Sequence, residues 1–308
     1  MMEDTNFPAE TFERILLPAG WKGAEEELTT AAGNVIVGGC QLQTLNARGD
    51  VLLRLDYLEE TEEIYLALMN TENDLELSLV LTPGVNLATT LETLVGLQAT
   101  LDSDELQDSV MRLKSVCPQT DVDVGAGERV DAEVFFLLGS ALRDLNEEQP
   151  AKAAATCEEV LRRAPLNGQA FEYLAQARWQ LDDLPGFLET TLSWREACPD
   201  QSSAWMWSSI AFQNNGKLPE ALEAINAAFE VSAASPEPVD GQIPFGETEP
   251  SALHQQKACV LALSGNTNEA LKSVRAAIEA DPDVKEELAE DEDLAALRDL
   301  KVFKKLIA

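Results

Sequence analysis

Apolar and polar residues follow two different rhythms along this chain. Between residues 34 and 81 the rhythm is close to two. VLLRLDYL (51–58) alternates in part, while EIYLALM (63–69) and DLELSLVL (74–81) alternate cleanly. Such alternation predicts half-buried antiparallel strands. With a further run at 34–44, four strands are expected, at 34–44, 49–58, 63–69 and 74–81. The joins between them are short and turn-rich, which suits neighbouring hairpins. Helices are expected at 87–101 and 104–116, with Ser103 as N-cap of the second, and a shorter one within 7–31.

From residue 131 onward apolar positions recur every three to four residues, the helical rhythm. The clearest unit starts at Ser202. Trp205, Ser209 and Phe212 supply a large, a small and a second large residue, Gly216 a turn, then Ala221, Ile225 and Ala228 a second helix. Pro165 to Pro199 and Ala175 to Ser209 both span 34 residues. Gly139 to Ala175 spans 36, which makes the first unit two residues longer. Gly216 to Gly265 spans 49, and the excess matches a Pro/Gly-rich insertion at 235–249.

At these positions the second half resembles the tetratricopeptide repeat family, with four repeats over about half the chain. The fold expected is an α+β N-terminal domain (1–120, antiparallel sheet with helices on one face), a linker (121–130) and an all-α superhelix (131–308). That superhelix carries the insertion at 235–249 and C-terminal capping helices. The closing segment is similar to tails that cap such arrays, through Asp293, Leu294, Leu297, Phe303 and Leu306. Phe187 and Trp194 stand where the family carries small residues. Smaller neighbours should compensate for them, the alternative being a reach toward another surface.

The resemblance implies that a ligand lies along the first helix of each pair. Position by position it points to Glu133, Phe136, Ser140, Arg143 and Asp144, then Gln169, Glu172, Gln176, Trp179 and Gln180. The third unit gives Ser203, Met206, Ile210, Gln213 and Asn214, and the fourth Ala252, Gln255, Cys259, Ala262 and Leu263. The groove residues singled out for protein binding are Phe136, Arg143, Glu172, Gln176, Trp179, Met206, Gln213 and Asn214. Amides satisfy an extended backbone, while rings and a thioether accept side chains. Family members that clamp a C-terminal carboxylate use cations at positions held here by Phe136, Ser140, Tyr173, Ser203 and Trp207. Capture of an acidic tail is therefore not expected.

Charge narrows the partners. The 308 residues carry 22 basic and 55 acidic side chains, a net charge of -33 shared almost equally by residues 1–130 (-17) and 131–308 (-16). Such a field repels nucleic acid and anionic membrane and speeds encounters with basic partners, although solubility or a salty habitat would select it too. No stretch reaches the roughly 20 apolar residues of a membrane span, and the acidic start is unlike a secretory signal. Cys40, Cys117, Cys157, Cys198 and Cys259 form no C-x-x-C pair, so neither a metal site nor a cofactor is expected and a reducing cytoplasm fits.

Catalytic signals are absent as well. The single histidine, His254, reads as a packed imidazole, and the glycines of 121–128 lack the Lys and Ser/Thr of a phosphate loop. Eight acids in 281–293 read as a solvated helix face, without the glycine of a calcium loop. The expectation is a non-enzymatic adaptor that binds a peptide or a basic partner. An acidic holdase or secretion-type chaperone acting through the first domain is the alternative.

Overall fold

The computed structural model describes residues 9–23, 41–58, 61–70, 76–101, 106–125, 128–235 and 246–308. Cys40, the Ser103 cap and most of the insertion (236–245) lie outside the described residues. The chain divides into two compact units, Met1–Phe136 and Leu137–Ala308.

In the first unit α1 (Ala9–Leu16) precedes a meander of β1 (Lys22–Gly23), β2 (Gln41–Leu45), β3 (Val51–Leu58), β4 (Glu63–Asn70) and β5 (Glu76–Leu81). Helices α2 (Leu87–Thr100) and α3 (Leu106–Val116) follow, then β6 (Thr120–Gly125) and β7 (Glu128–Asp131). The seven strands form one antiparallel sheet in sequence order. Alternation explains the burial. Val51, Leu53, Leu55, Tyr57, Ile64, Leu66, Leu68, Leu79, Leu81 and Val122 share a core with Phe12, Leu16, Leu91, Leu94, Leu97, Val110 and Leu113. Helices therefore cover one face, as the pattern implied.

Of residues 121–130, expected as a linker, 121–125 and 128–130 instead lie in the last two strands. Thr120, Asp121 and Val122 pair with β5, and Gly125 turns the chain at φ +94°. Glycine and acids mimic a linker because an edge hairpin needs little apolar content. At the β2–β3 turn the Asn46 carboxamide oxygen accepts from the amides of Gly49, Asp50 and Val51 at 2.8–3.2 Å, and its nitrogen donates to the Leu101 carbonyl at 3.0 Å. That one side chain ties the turn to the end of α2.

On the opposite face to the β3 core residues lies Asp56, fully buried, with a hydrogen-bond partner for neither carboxylate oxygen. Burial pushes its carboxyl up to about 6, against the pull of Arg54.

The second unit is helical throughout. Its hairpins are α4 (Ala132–Asn146, across the unit boundary) with α5 (Pro150–Arg163), and α6 (Gly168–Gln180) with α7 (Leu184–Ala197). They continue with α8 (Ser202–Asn214) and α9 (Leu218–Ala234), then α10 (Pro250–Leu263) and α11 (Thr267–Ala280). Each hairpin turns through one residue in the left-handed region: Glu148, Asp182, Gly216 and Gly265. Glu148 to Asp182 and Asp182 to Gly216 are both 34 residues apart.

This corrects the first repeat. Ala141, 34 residues before Ala175, is the small residue at the helix crossing, fully buried against Cys157 and Leu174. Gly139, the residue expected there, has nothing within 4 Å of where a Cβ would sit. The first repeat is not lengthened. No glycine marks its turn, because Glu148, like Asp182, adopts a backbone normally reserved for glycine.

Phe187 and Trp194 are both fully buried, and small neighbours make room for them. Ala175 and Ala211 flank Phe187, while Ala204, Cys198 and Phe171 surround Trp194. The Trp194 indole N–H donates to Gln201 Oε1 at 2.8 Å. After α11 come a 3-10 turn (Pro282–Val284), α12 (Lys285–Glu290), a second 3-10 segment (Glu292–Leu297) and α13 (Lys301–Ile307). Leu288, Leu294, Leu297 and Phe303 cover Ala258, Leu261, Val274 and Ala277, so this tail does cap the last hairpin.

Two outcomes are expected. Trp194→Ala should remove about 3–5 kcal/mol of stability in urea titration, since it opens a ring-sized void and orphans Gln201. For Asp56 the folded carboxyl holds its proton more tightly than the unfolded one, so wild-type stability should fall as pH rises from about 4 to 7. Asp56→Asn should flatten that fall and gain about 2 kcal/mol at pH 7.5 in thermal and urea melts.

Candidate functional site

One wall of the second unit is made by the first helix of each hairpin, with α6 beside α8 and α8 beside α10. Period alone decides which side chains stand on it. With the corrected phase, the positions of Gln169, Glu172, Gln176, Trp179 and Gln180 correspond to Phe135, Leu138, Leu142, Leu145 and Asn146 of α4, of which Leu138 and Leu145 are buried. Leu142 is half-exposed there. Phe136 and Arg143 thus fall out of phase. Phe136 packs against the sheet unit's core with Phe135 edge-on at 5.5 Å, and Arg143 is exposed.

The middle of the wall is aromatic and acidic. Glu172, Gln176 and Trp179 stand at i, i+4 and i+7 on α6, one stripe of the helix. Trp179 is 47% exposed. Its ring lies nearly parallel to Phe187 at 6.3 Å and edge-on to Trp207 at 6.1 Å, and Phe187 meets Trp207 edge-on at 6.0 Å. This ring cluster therefore fixes the Trp179 side chain while leaving much of it in water. Glu172 and Gln176 are half-buried, and among the described residues neither side chain has a hydrogen-bond or ionic partner. Burial alone raises the Glu172 carboxyl above its ordinary range.

Toward the C-terminus the wall is occupied by the chain's own tail. Gln213 Nε2 donates to Asp293 Oδ2 at 2.6 Å, and Gln256 Nε2 donates to Gln213 Oε1 at 3.0 Å and to Ser209 Oγ at 3.1 Å. The Cys259 thiol donates to Asp291 Oδ2 at 3.1 Å, and Asp291 Oδ1 caps the amide of Asp293 at 2.9 Å. Asp291 and Asp293 thus leave the solvated helix face expected for them. Burial and then Asp291 raise the Asp293 carboxyl, while Gln213 lowers it. The Cys259, Asp291 and Asp293 ligand atoms lie within 4.8 Å of one another, but each already has a protein partner.

The remaining positions are placed as follows. Met206 packs with Trp205 and Phe229 against Ile225 and Leu253, inside the helix crossing. Asn214 is exposed and donates to Ile210 on its own helix. Ser203 is buried by the end of the insertion, its hydroxyl 3.1 Å from that of Thr248. His254 packs on Phe229 at 4.8 Å, its pKa lowered by burial and Lys257. Sequence reasoning missed Leu142, Trp207 as partner of Trp179, and Asp293. The Ala141–Ala175 spacing held the first signal; nothing local marked the third.

A tetratricopeptide repeat family model matches residues 136–202, and a second such model matches residues 251–284. Among curated proteins none matches the chain. Among solved structures it is similar to TTC0263, a thermophilic TPR protein of Thermus thermophilus, at 20% identity over 56% of this chain and 96% of that one, TM-score 0.42. MamA of Desulfovibrio magneticus RS-1 is similar at 12% identity over 57% and 93% respectively, TM-score 0.42. YrrB, described as a TPR protein with an unusual peptide-binding site, is similar at 13% identity over 55% and 80%, TM-score 0.39.

Because Gln213 stabilises the ionised form of Asp293, Gln213→Ala should destabilise by about 1–2 kcal/mol at pH 7. The loss should shrink as pH falls toward 4 and the carboxyl takes up its proton. Urea titrations at the two pH values check this.

Proposed function

Tetratricopeptide repeats make up the C-terminal half of this chain, and on that premise we propose a non-enzymatic adaptor that holds an extended segment of a partner protein on the wall of first helices. The observation that carries the proposal is the middle of that wall. A half-exposed Trp179 is braced by Phe187 and Trp207 next to two polar side chains that have no partner among the described residues. Rigid, partly wet aromatics make good anchors because ordering them on binding costs little entropy. The net charge of -33 favours basic partners and disfavours nucleic acid and anionic membrane. No helix among the described residues is long and apolar enough to cross a membrane. Cys117, Cys157, Cys198 and Cys259 are buried free thiols, which fits a cytoplasmic, reducing setting.

The wall of α6 and α8, rather than the full length of the repeats, is the working surface in this proposal. At the α10 end Gln213 and Gln256 are already engaged, and Ser203 is covered. Affinity capture with the full-length protein tests it. Trp179→Ala should cut retention of the captured partner about fivefold or more, while the fold, followed by circular dichroism, stays intact. Retention equal to wild type would remove this wall from the function.

A further inference from the structure

Glu172 is an acid in the wrong place for its own fold. It is half-buried, and among the described residues no cation, hydroxyl or amide reaches its carboxylate. Desolvating a carboxylate without a counter-charge is unfavourable, so the site is strained in favour of an incoming cation. Two turns along the same stripe, Trp179 offers a half-exposed indole whose orientation is fixed by Phe187 and Trp207. An indole face attracts a guanidinium or ammonium group. Gln176 lies between them with its amide uncommitted, able to bond an extended backbone.

Spacing turns this into a specific requirement. Seven residues of helix advance about 10 Å, at roughly 1.5 Å each. Three residues of an extended polyproline II segment advance about 9 Å, at roughly 3.1 Å each, and bring the side chain back to the same face. We infer that the wall of α6 recognises an extended peptide with two basic side chains three positions apart, one stacked on Trp179 and the other paired with Glu172. This inference rests on the adaptor reading and narrows it to a partner chemistry. The occupant comes from outside the chain. The residues outside the described set contain no Lys or Arg, so those segments cannot supply the cations. The pairs of the same separation within the chain, Lys272/Arg275, Arg298/Lys301 and Lys301/Lys304, sit in α11, at the end of the second 3-10 segment and in α13, not in an extended segment.

The test is fluorescence anisotropy of labelled Gly/Ser octapeptides with the full-length protein at low ionic strength. One peptide carries two arginines three positions apart, a second carries them adjacent, and a third has glutamines in the spaced positions. The spaced arginine peptide should bind about fivefold or more tightly than either control. Glu172→Gln and Trp179→Leu should each weaken it about fivefold or more. Glu220→Gln, an equal loss of charge at an exposed position of α9, should change it less than about twofold.

Equal affinity for the two arginine spacings, no binding, or equal effects of Glu172→Gln and Glu220→Gln would each overturn the inference, leaving only the general acidic field. Trp179-dependent self-association in sedimentation would overturn it too, by assigning the face to a second copy. Partner capture that still depends on Trp179 but not on Glu172 would sink the cation and spare the adaptor.

Discussion

The second unit depends on close approach of helices at small residues, repeated in step. Ala141, Ala175 and Ser209 fall 34 residues apart, and Ala258 follows after the insertion; all four are fully buried. A small side chain at each crossing lets the two axes come near enough for the larger rings to fill the space beyond. The same device absorbs Phe187 and Trp194, which would otherwise wedge the hairpins apart. Their neighbours Ala175, Ala204 and Ala211 give up volume in compensation. Stability in such an array is close to a sum of neighbour interfaces, so each of these crossings matters locally.

Polar groups then divide the wall into a closed part and an open part. At the α10 end the chain satisfies its own donors, since Gln213, Gln256 and Ser209 are linked to one another and to Asp293 of the tail. In the middle, Glu172 and Gln176 are left without partners among the described residues, beside an indole held by two other rings. Burial raises both Glu172 and Asp293, yet only Asp293 has a hydrogen bond to offset it. That contrast separates a carboxylate used for folding from one available to a partner.

The sheet unit shows a parallel contrast at Asp56. Period-two alternation sorted Val51, Leu53, Leu55 and Tyr57 onto the helix-covered face with little ambiguity. The same alternation put Arg54 and Asp56 on the other face, where a solvated pair would be the ordinary expectation. Asp56 is instead fully buried with neither oxygen bonded, and its raised pKa follows from that burial.

Sequence alone determined the two rhythms, and with them the sheet of neighbouring hairpins and the succession of helix pairs. These follow from local periodicity, which survives in one dimension. Tertiary structure decided the rest. Glu148 and Asp182 take left-handed turns without glycine, so no turn glycine marks the phase of the first repeat, and packing selected Ala141 over Gly139. Residues 121–125 and 128–130 became strands because β5 offered an unpaired edge beside them. Asp293 met Gln213 across 80 residues of chain, a contact no local pattern encodes. Whether a wall residue is open or already engaged depends on what folds back over it, and that is settled by volume and hydrogen-bond pairing in three dimensions.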